Sequence, residues 1–317
     1  MQISLKEKEL IMLKIKGMVK RLLFITLATS NTFSWANFQS KTQPIVFGTI
    51  VPHQIILDSQ GHNVNITSYL SKKLHRPVVF KHYTDPIKLS ADFKSGKVLL
   101  SYGKASLLAV LQKTNAPYTP LVVANESYFH AKGNISDLTT YPAVVVVNKS
   151  SNLENFHDLK KTSVNLYVNS MTSTSSIAGY VLALRKLNIN PQSNIKKIID
   201  RKTYTDQIRG IAEDKNGIGV IWKYTTFFPK NINSNELKII DIIDNLPCPM
   251  LIASNKLSKE LQQEITKIMV EAKPSELSTR WVSGFSQPTN QELSNMAHFT
   301  KKIVEDKYIM NIYAHNQ

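Results

Sequence analysis

The chain has 317 residues, 42% of them hydrophobic, with 39 Lys and Arg against 23 Asp and Glu. That length exceeds one small domain and suits two of ordinary size; the near-average composition excludes a wholly disordered, collagen-like or disulfide-scaffold chain. The net charge of +16 could serve a nucleic acid, an acidic membrane surface or a small anion, but the basic residues are spread along the chain. A solvated basic surface accounts for them, and no RNP, zinc-finger or basic-helix pattern supports nucleic acid.

The N-terminal segment reads as an export signal. Lys20-Arg21 precedes the apolar run Leu22–Ala28, and Ser34-Trp35-Ala36 places small residues at −3 and −1. This predicts a secretory signal peptide cleaved after Ala36, and the run is too short for a membrane span. A start at Met18 gives a signal of ordinary length and leaves 1–17 outside it. The mature chain keeps 33 basic and 21 acidic residues, a charge of +12. The expected compartment is a bacterial periplasm.

The mature chain then alternates strand and helix signals. Ile45–Val51 reads as a buried strand, 64–74 as a helix, Pro77–Phe80 as a strand, 87–94 as a helix, Val98–Tyr102 as a strand and Ala105–Leu111 as a helix. Two more strands follow at Leu121–Val123 and Ala143–Val147. The alternation then starts again: a short helix at Asn155–Leu159, a strand at Val164–Val168 and a helix at 174–188. Strand, helix and strand come next at Lys197–Ile199, Asp206–Glu213 and Ile218–Trp222. Strands at Leu237–Ile243 and Met250–Ala253 precede amphipathic helices at 258–272, 275–282 and 290–306. Solidly apolar strands alternating with helices predict an α/β fold of two lobes, each a mostly parallel sheet flanked by helices. The first lobe is expected at 37–147 plus 246–317 and the second at 148–245.

Catalytic and metal motifs are absent. There is no HExxH, GxSxG, GxGxxG or P-loop pattern, and the eight histidines show no ligand spacing. No metal or cofactor is therefore expected. Ser101–Lys104 and Ser193–Lys196 both match SxxK by chance, without partner motifs. The single cysteine, Cys248, lies between two prolines and reads as a buried structural thiol. One segment stands out. Thr172–Ser176 is a run of five hydroxyl residues between a strand and a helix. One hydroxyl suffices to cap the helix, so the surplus points to donors for an oxyanion at the helix N-terminus.

With those residues in view the chain resembles the phosphate/phosphite/phosphonate-type periplasmic substrate-binding proteins of ABC transporters, over about 44–290. Phe47–Pro52, Tyr69–Val78, Ser173–Ser175 with Leu187–Ile189, Leu246–Ile252 and Leu257–Leu261 carry the resemblance, in the family's order. It implies the two-lobe type II periplasmic-binding fold, with Ser173, Thr174 and Ser175 holding an oxyanion. Leu107, Tyr204 and Gly217 depart from the family's aromatic, histidine and acid. The expected ligand-binding set is Ser173, Thr174, Ser175, His53, Lys104, Ser106 and Tyr204. The implied partners are a small anionic ligand and a membrane permease or a sensor protein, with the chain a monomer that binds no nucleic acid. A stand-alone sensor of the same fold is the alternative. An exported enzyme, for which His53, His82 or Tyr204 would have to act, comes after it.

Overall fold

The computed structural model describes residues 43–50, 66–126, 140–222, 236–277 and 282–314. The expected signal segment and His53 lie outside the described residues.

The first set of elements is β1 (Ile45–Thr49), α1 (Ile66–Leu74), β2 (Val78–His82), α2 (Pro86–Ser95), β3 (Leu100–Gly103), α3 (Ala105–Lys113) and β4 (Tyr118–Glu126). Local chemistry sets the bounds of α2. The Asp85 carboxylate accepts the Ile87 N–H at 2.7 Å, Pro86 fixes the first turn, and Gly96 at φ 82° ends the helix in the left-handed region.

β5 (Thr140–Asn148) leads out of the first set into the second, which opens with a 3-10 turn at Phe156–Lys161 and β6 (Val164–Val168). A π-helical turn (Thr174–Gly179) then runs into α4 (Tyr180–Lys186). Next come the short α5 (Pro191–Asn194), β7 (Ile195–Asp200), α6 (Tyr204–Glu213), β8 (Gly217–Trp222) and β9 (Leu237–Pro247). The chain finishes with β10 (Met250–Ser254), α7 (Lys259–Val270), α8 (Pro274–Leu277), β11 (Val282–Ser286), α9 (Asn290–Glu305) and α10 (Lys307–Ala314).

Two sheets form, ordered β2-β1-β3-β10-β4-β11 and β7-β6-β8-β5-β9. Their logic is the same. The second, first and third strands of a set lie parallel. A strand arriving from the other set follows, antiparallel, and the fourth strand lies beyond it. β10 plays the visiting part in the first sheet and β5 in the second. This reciprocal exchange is the two-lobe type II architecture.

Three expectations need correcting. Residues 140–147 were assigned to the first lobe, but β5 pairs with β8 and β9. A run of valines reads alike for either sheet, and only its partners decide. The sheets are mixed, because β5, β10 and β11 run against their neighbours. Finally, of the helix expected at 275–282 the described residues carry Pro274–Leu277, Val282 already belongs to strand β11, and α10 adds a helix beyond 306.

A continuous apolar cluster joins the sets. It runs from Leu89, Phe93 and Leu108 through Val145, Leu166 and Leu184 to Ile303 and Ile309. A second cluster, including Leu70, Leu251 and Met269, covers the other face of the first sheet. Among the described residues no helix is long and apolar enough to cross a membrane.

Candidate functional site

Two helix starts meet at the carboxyl ends of their strands, where ligands bind in open α/β sheets. β3 ends at Gly103 and leads through Lys104 into α3. Lys104 occupies the cap position in an extended conformation and makes no side-chain capping bond. Ala105–Leu111 are all buried. From the other set, β6 ends at Val168 and leads through Asn169–Ser173 into the π-helical turn. Such turns are rare and concentrate at functional sites.

The hydroxyl run is not a simple cap. Ser173 caps its own helix, accepting the Ser176 N–H at 3.1 Å. Ser176 Oγ donates to the Val220 carbonyl at 2.7 Å and so fixes the helix to β8. Ser173 and Ser175 share a hydrogen bond at 3.4 Å, and Ser170 and Thr172 share another at 3.1 Å.

Thr174 does something different, reaching the opposite lobe. Its Oγ1 accepts the Ser106 backbone N–H at 3.4 Å and donates to Ser106 Oγ at 3.3 Å. Ser106 Oγ in turn donates to the Thr172 carbonyl at 2.6 Å. The first turn of α3, uncapped from its own side, thus takes its acceptor from the other lobe. An N-terminal turn has positive character and prefers an acceptor or an anion there.

Beside this contact lies a small open pocket lined by Ile50, Tyr102, Lys104, Ser106, Leu107, Ser170 and Thr172. Lys104 and Ser106 of the expected set line it. Ser173, Thr174 and Ser175 are buried next to it. Tyr204 starts α6 after the Thr203 cap and packs with Val144, Val146, Ile208 and Ile221; it does not line this pocket. Ile50, Tyr102, Ser170 and Thr172 line the pocket but are not in the expected ligand-binding set, although Thr172 opens the hydroxyl run. Tyr102 carries a legible signal, an aromatic at a strand's carboxyl end just before a helix cap. Among the described residues no group of three or more His, Cys, Asp or Glu gathers as metal ligands.

The helix carrying the hydroxyls is braced from behind. Tyr180, fully buried, donates to Asn194 Oδ1 at 3.0 Å, and the Asn194 amide donates to the Leu159 and Thr162 carbonyls at 3.0 and 2.7 Å. Burial drives the Tyr180 phenol far above the ordinary tyrosine range, and the nearby Tyr308 adds to this. Tyr180 therefore stays a neutral donor.

Comparison with known structures supports the fold. A Xanthomonas citri protein, XAC2383, solved bound to ATP, superposes with a TM-score of 0.65 at 12% identity, covering 87% of this chain and 100% of its own. PhnD1 from Prochlorococcus marinus, solved with methylphosphonate, gives 0.61 at 14% identity, covering 83% and 99%. A binding component of an ABC phosphonate transporter from Pseudomonas aeruginosa gives 0.59 at 15%, covering 87% and 89%. No curated relative matches the chain in sequence. The family of ABC transporter, phosphonate, periplasmic substrate-binding proteins matches residues 59–293. The facing helix starts, the reciprocal exchange of strands and that match over most of the chain agree: the chain belongs to the phosphonate-type periplasmic substrate-binding proteins of ABC transporters.

Proposed function

We propose that the protein captures a small oxyanion of the phosphate or phosphonate type between its two lobes and delivers it to an ABC permease, without chemical turnover. One observation carries this reading: α3 has no side-chain cap of its own, and its Ser106 N–H points across the cleft at Thr174 Oγ1. A ligand oxyanion is a stronger acceptor than a hydroxyl. It would take the place between the two helix starts, with Ser106, Thr174 and Ser175 donating to it and Lys104 at the pocket wall supplying charge. His53 and Tyr204 remain part of the proposed set, contacting the ligand beyond its oxyanion. The protein acts as a monomer in the periplasm, exported with its leader removed after Ala36, and N-terminal sequencing of the exported protein checks that cleavage.

The test of function is a thermal-shift and calorimetric screen of the mature protein. The panel is phosphate, phosphite, methylphosphonate, an alkyl sulfonate and ATP. A ligand raises the unfolding midpoint with its concentration by mass action. The expected result is binding of at least one phosphorus oxyanion, with the ligand recovered unchanged. No binding across the panel, or a converted product, would overturn the reading.

A further inference from the structure

The pocket between the helix starts is lined by groups of two kinds, and oxyanion capture uses only one of them. Ser106, Ser170 and Thr172 bring hydroxyls and Lys104 a cation. Ile50, Leu107 and the Tyr102 ring are apolar, and all three come from the first lobe. Ile50 follows the carboxyl end of β1 and packs, half-buried, against the main apolar cluster. Leu107 follows Ser106 in the first turn of α3 and is 4% exposed. Tyr102 is the last residue but one of β3. The pocket holds about 310 Å³ with the part open to solvent included, at the lower end of small-molecule sites. An oxyanion head fills a fraction of that space, and its substituent meets the rest of the lining.

Charge decides what that substituent can be. Lys104 is the one charged group among the described residues that line the pocket, and no carboxylate of those residues does. Carboxylates on the elements next to the site are already engaged. Asp85, beyond the end of β2, caps α2 by accepting the Ile87 N–H at 2.7 Å. Asp200, at the end of β7, accepts the Lys202 N–H at 3.0 Å and pairs with the Lys202 ammonium. Asp206, on α6, accepts from Thr203 Oγ1 at 2.8 Å and from Arg209 at 3.0 Å. An ammonium on the ligand's arm would share the pocket with Lys104 and find no counter-charge in its lining. Burying a charge unpaired, near one of its own sign, costs affinity. A short alkyl arm avoids that cost and gains by covering Ile50 and Leu107.

We infer that the cleft selects among phosphorus oxyanions by their substituent: it takes phosphonates with a short, uncharged alkyl arm and rejects those whose arm carries an ammonium. Ile50 and Leu107 are the specificity-determining residues, and Lys104 enforces the choice. This selection rests on oxyanion capture in the cleft, as proposed above, and adds to it the chemistry of the arm.

The test is calorimetry on the full mature chain at about pH 8.5, where an alkyl ammonium keeps its proton. The ligands are methyl-, ethyl-, propyl- and aminoethylphosphonate, the last two alike in size and different in charge. Ethylphosphonate is expected to bind about fourfold tighter than methylphosphonate, the worth of one buried methylene. Propylphosphonate is expected to bind at least about tenfold tighter than aminoethylphosphonate. Ile50→Asp puts a carboxylate on the apolar wall at a half-buried position, and should shift the propyl-to-aminoethyl preference at least about tenfold toward the ammonium. Ile50→Ala should remove most of the ethyl advantage over methyl without helping the ammonium. Each readout is a ratio within one protein, so a general loss of affinity cancels, and the wild-type ratios decide if Ile50→Asp does not fold. Aminoethylphosphonate bound by the wild type as tightly as propylphosphonate, or a preference unmoved in folded Ile50→Asp, would overturn the selection and leave oxyanion capture standing. Binding of none of the four ligands by the wild type would overturn both.

Discussion

The two helices that face each other across the cleft begin in opposite ways. The helix of the second lobe is over-supplied: Ser173 caps it, Ser176 fixes it to β8, and Tyr180 with Asn194 braces it from behind. α3 of the first lobe is under-supplied, with Lys104 at its cap position, an apolar run after it and its Ser106 N–H satisfied by Thr174. One helix start is complete within its own lobe, and the other is complete only when the lobes meet. This asymmetry links closure to the presence of an acceptor. What sits between the helices must offer α3 what Thr174 offers it here.

The brace gives the largest expected effect. Replacing Asn194 with Ala leaves the Tyr180 hydroxyl and the Thr162 carbonyl without the Asn194 partner, while the Leu159 carbonyl keeps only the long bond from the Thr162 N–H. At roughly 1–3 kcal/mol for each buried group left unsatisfied, a loss of about 3 kcal/mol is expected. It would appear as a lowered urea midpoint with the slope unchanged. A loss under about 1 kcal/mol would mean that the second helix is not held more firmly than α3.

Thr174→Val comes next and acts on function. The change keeps the shape but removes both the acceptor for the Ser106 N–H and the donor to the ligand. A hydrogen bond to a charged group contributes about 1.5–3 kcal/mol, so affinity for the phosphorus oxyanion should fall roughly tenfold to a hundredfold in calorimetry. Ser175→Ala, whose hydroxyl bonds Ser173 among the described residues, should lose less. Equal losses would erase the distinction between the residue that reaches across and the one that stays home.

How far the sequence announced this arrangement differs between the two sides. The hydroxyl run was plain, because five such residues in a row exceed what capping needs. The apolar runs of β1, β5, β8 and β10 were also plain, but not which sheet β5 enters: that depends on its pairing with Trp222 and Ile243, far along the chain. The dependence of α3 on Thr174 was invisible, since it lies in the absence of a cap at Lys104 and a partner 68 residues away. Strand β11 was hidden behind Ser275-Glu276-Leu277, which read as the opening of a helix. α10 was missed because Asp306-Lys307 interrupts the amphipathic pattern just where Asp306 restarts the helix as its cap.

Lys104 tests the charge on the under-supplied side. Lys104→Met should slow oxyanion association several-fold at low salt, with the difference fading near 0.5 M salt as screening shortens the reach of charge. Lys104→Ser should do the same while giving α3 a cap of its own, worth about 0.5–1 kcal/mol. Thr174→Val should then cost less stability in that background than in the wild type. An unchanged cost would show that Thr174 is not serving as the cap of α3.

The smallest effect comes from a feature the two lobes share. Each holds an aspartate against a tyrosine that has a cation over its ring: Tyr83 donates to Asp92 at 2.6 Å under Lys81, and Tyr167 donates to Asp214 at 3.0 Å under Arg201. The Tyr83 hydroxyl holds the Asp92 carboxyl below its ordinary range, with Lys81 and Lys97 assisting and burial opposing. Burial works against ionisation of Asp214, but hydrogen bonds from Asn165, the Asn216 N–H and Tyr167 outweigh it, so this carboxyl is lowered too. A folded-state pKa below the unfolded value of about 3.9 contributes stability that is complete above that value and is lost as pH falls through the folded pKa. Asp92→Asn and Asp214→Asn should therefore cost up to about 1 kcal/mol each at pH 7. Urea midpoints of variant and wild type should converge below about pH 4. The Asp214 difference is expected to be the larger, because three hydrogen bonds converge on that carboxylate. A gap that stays constant down to pH 3 would mean that the bonds matter for their geometry and not for the charge they stabilise.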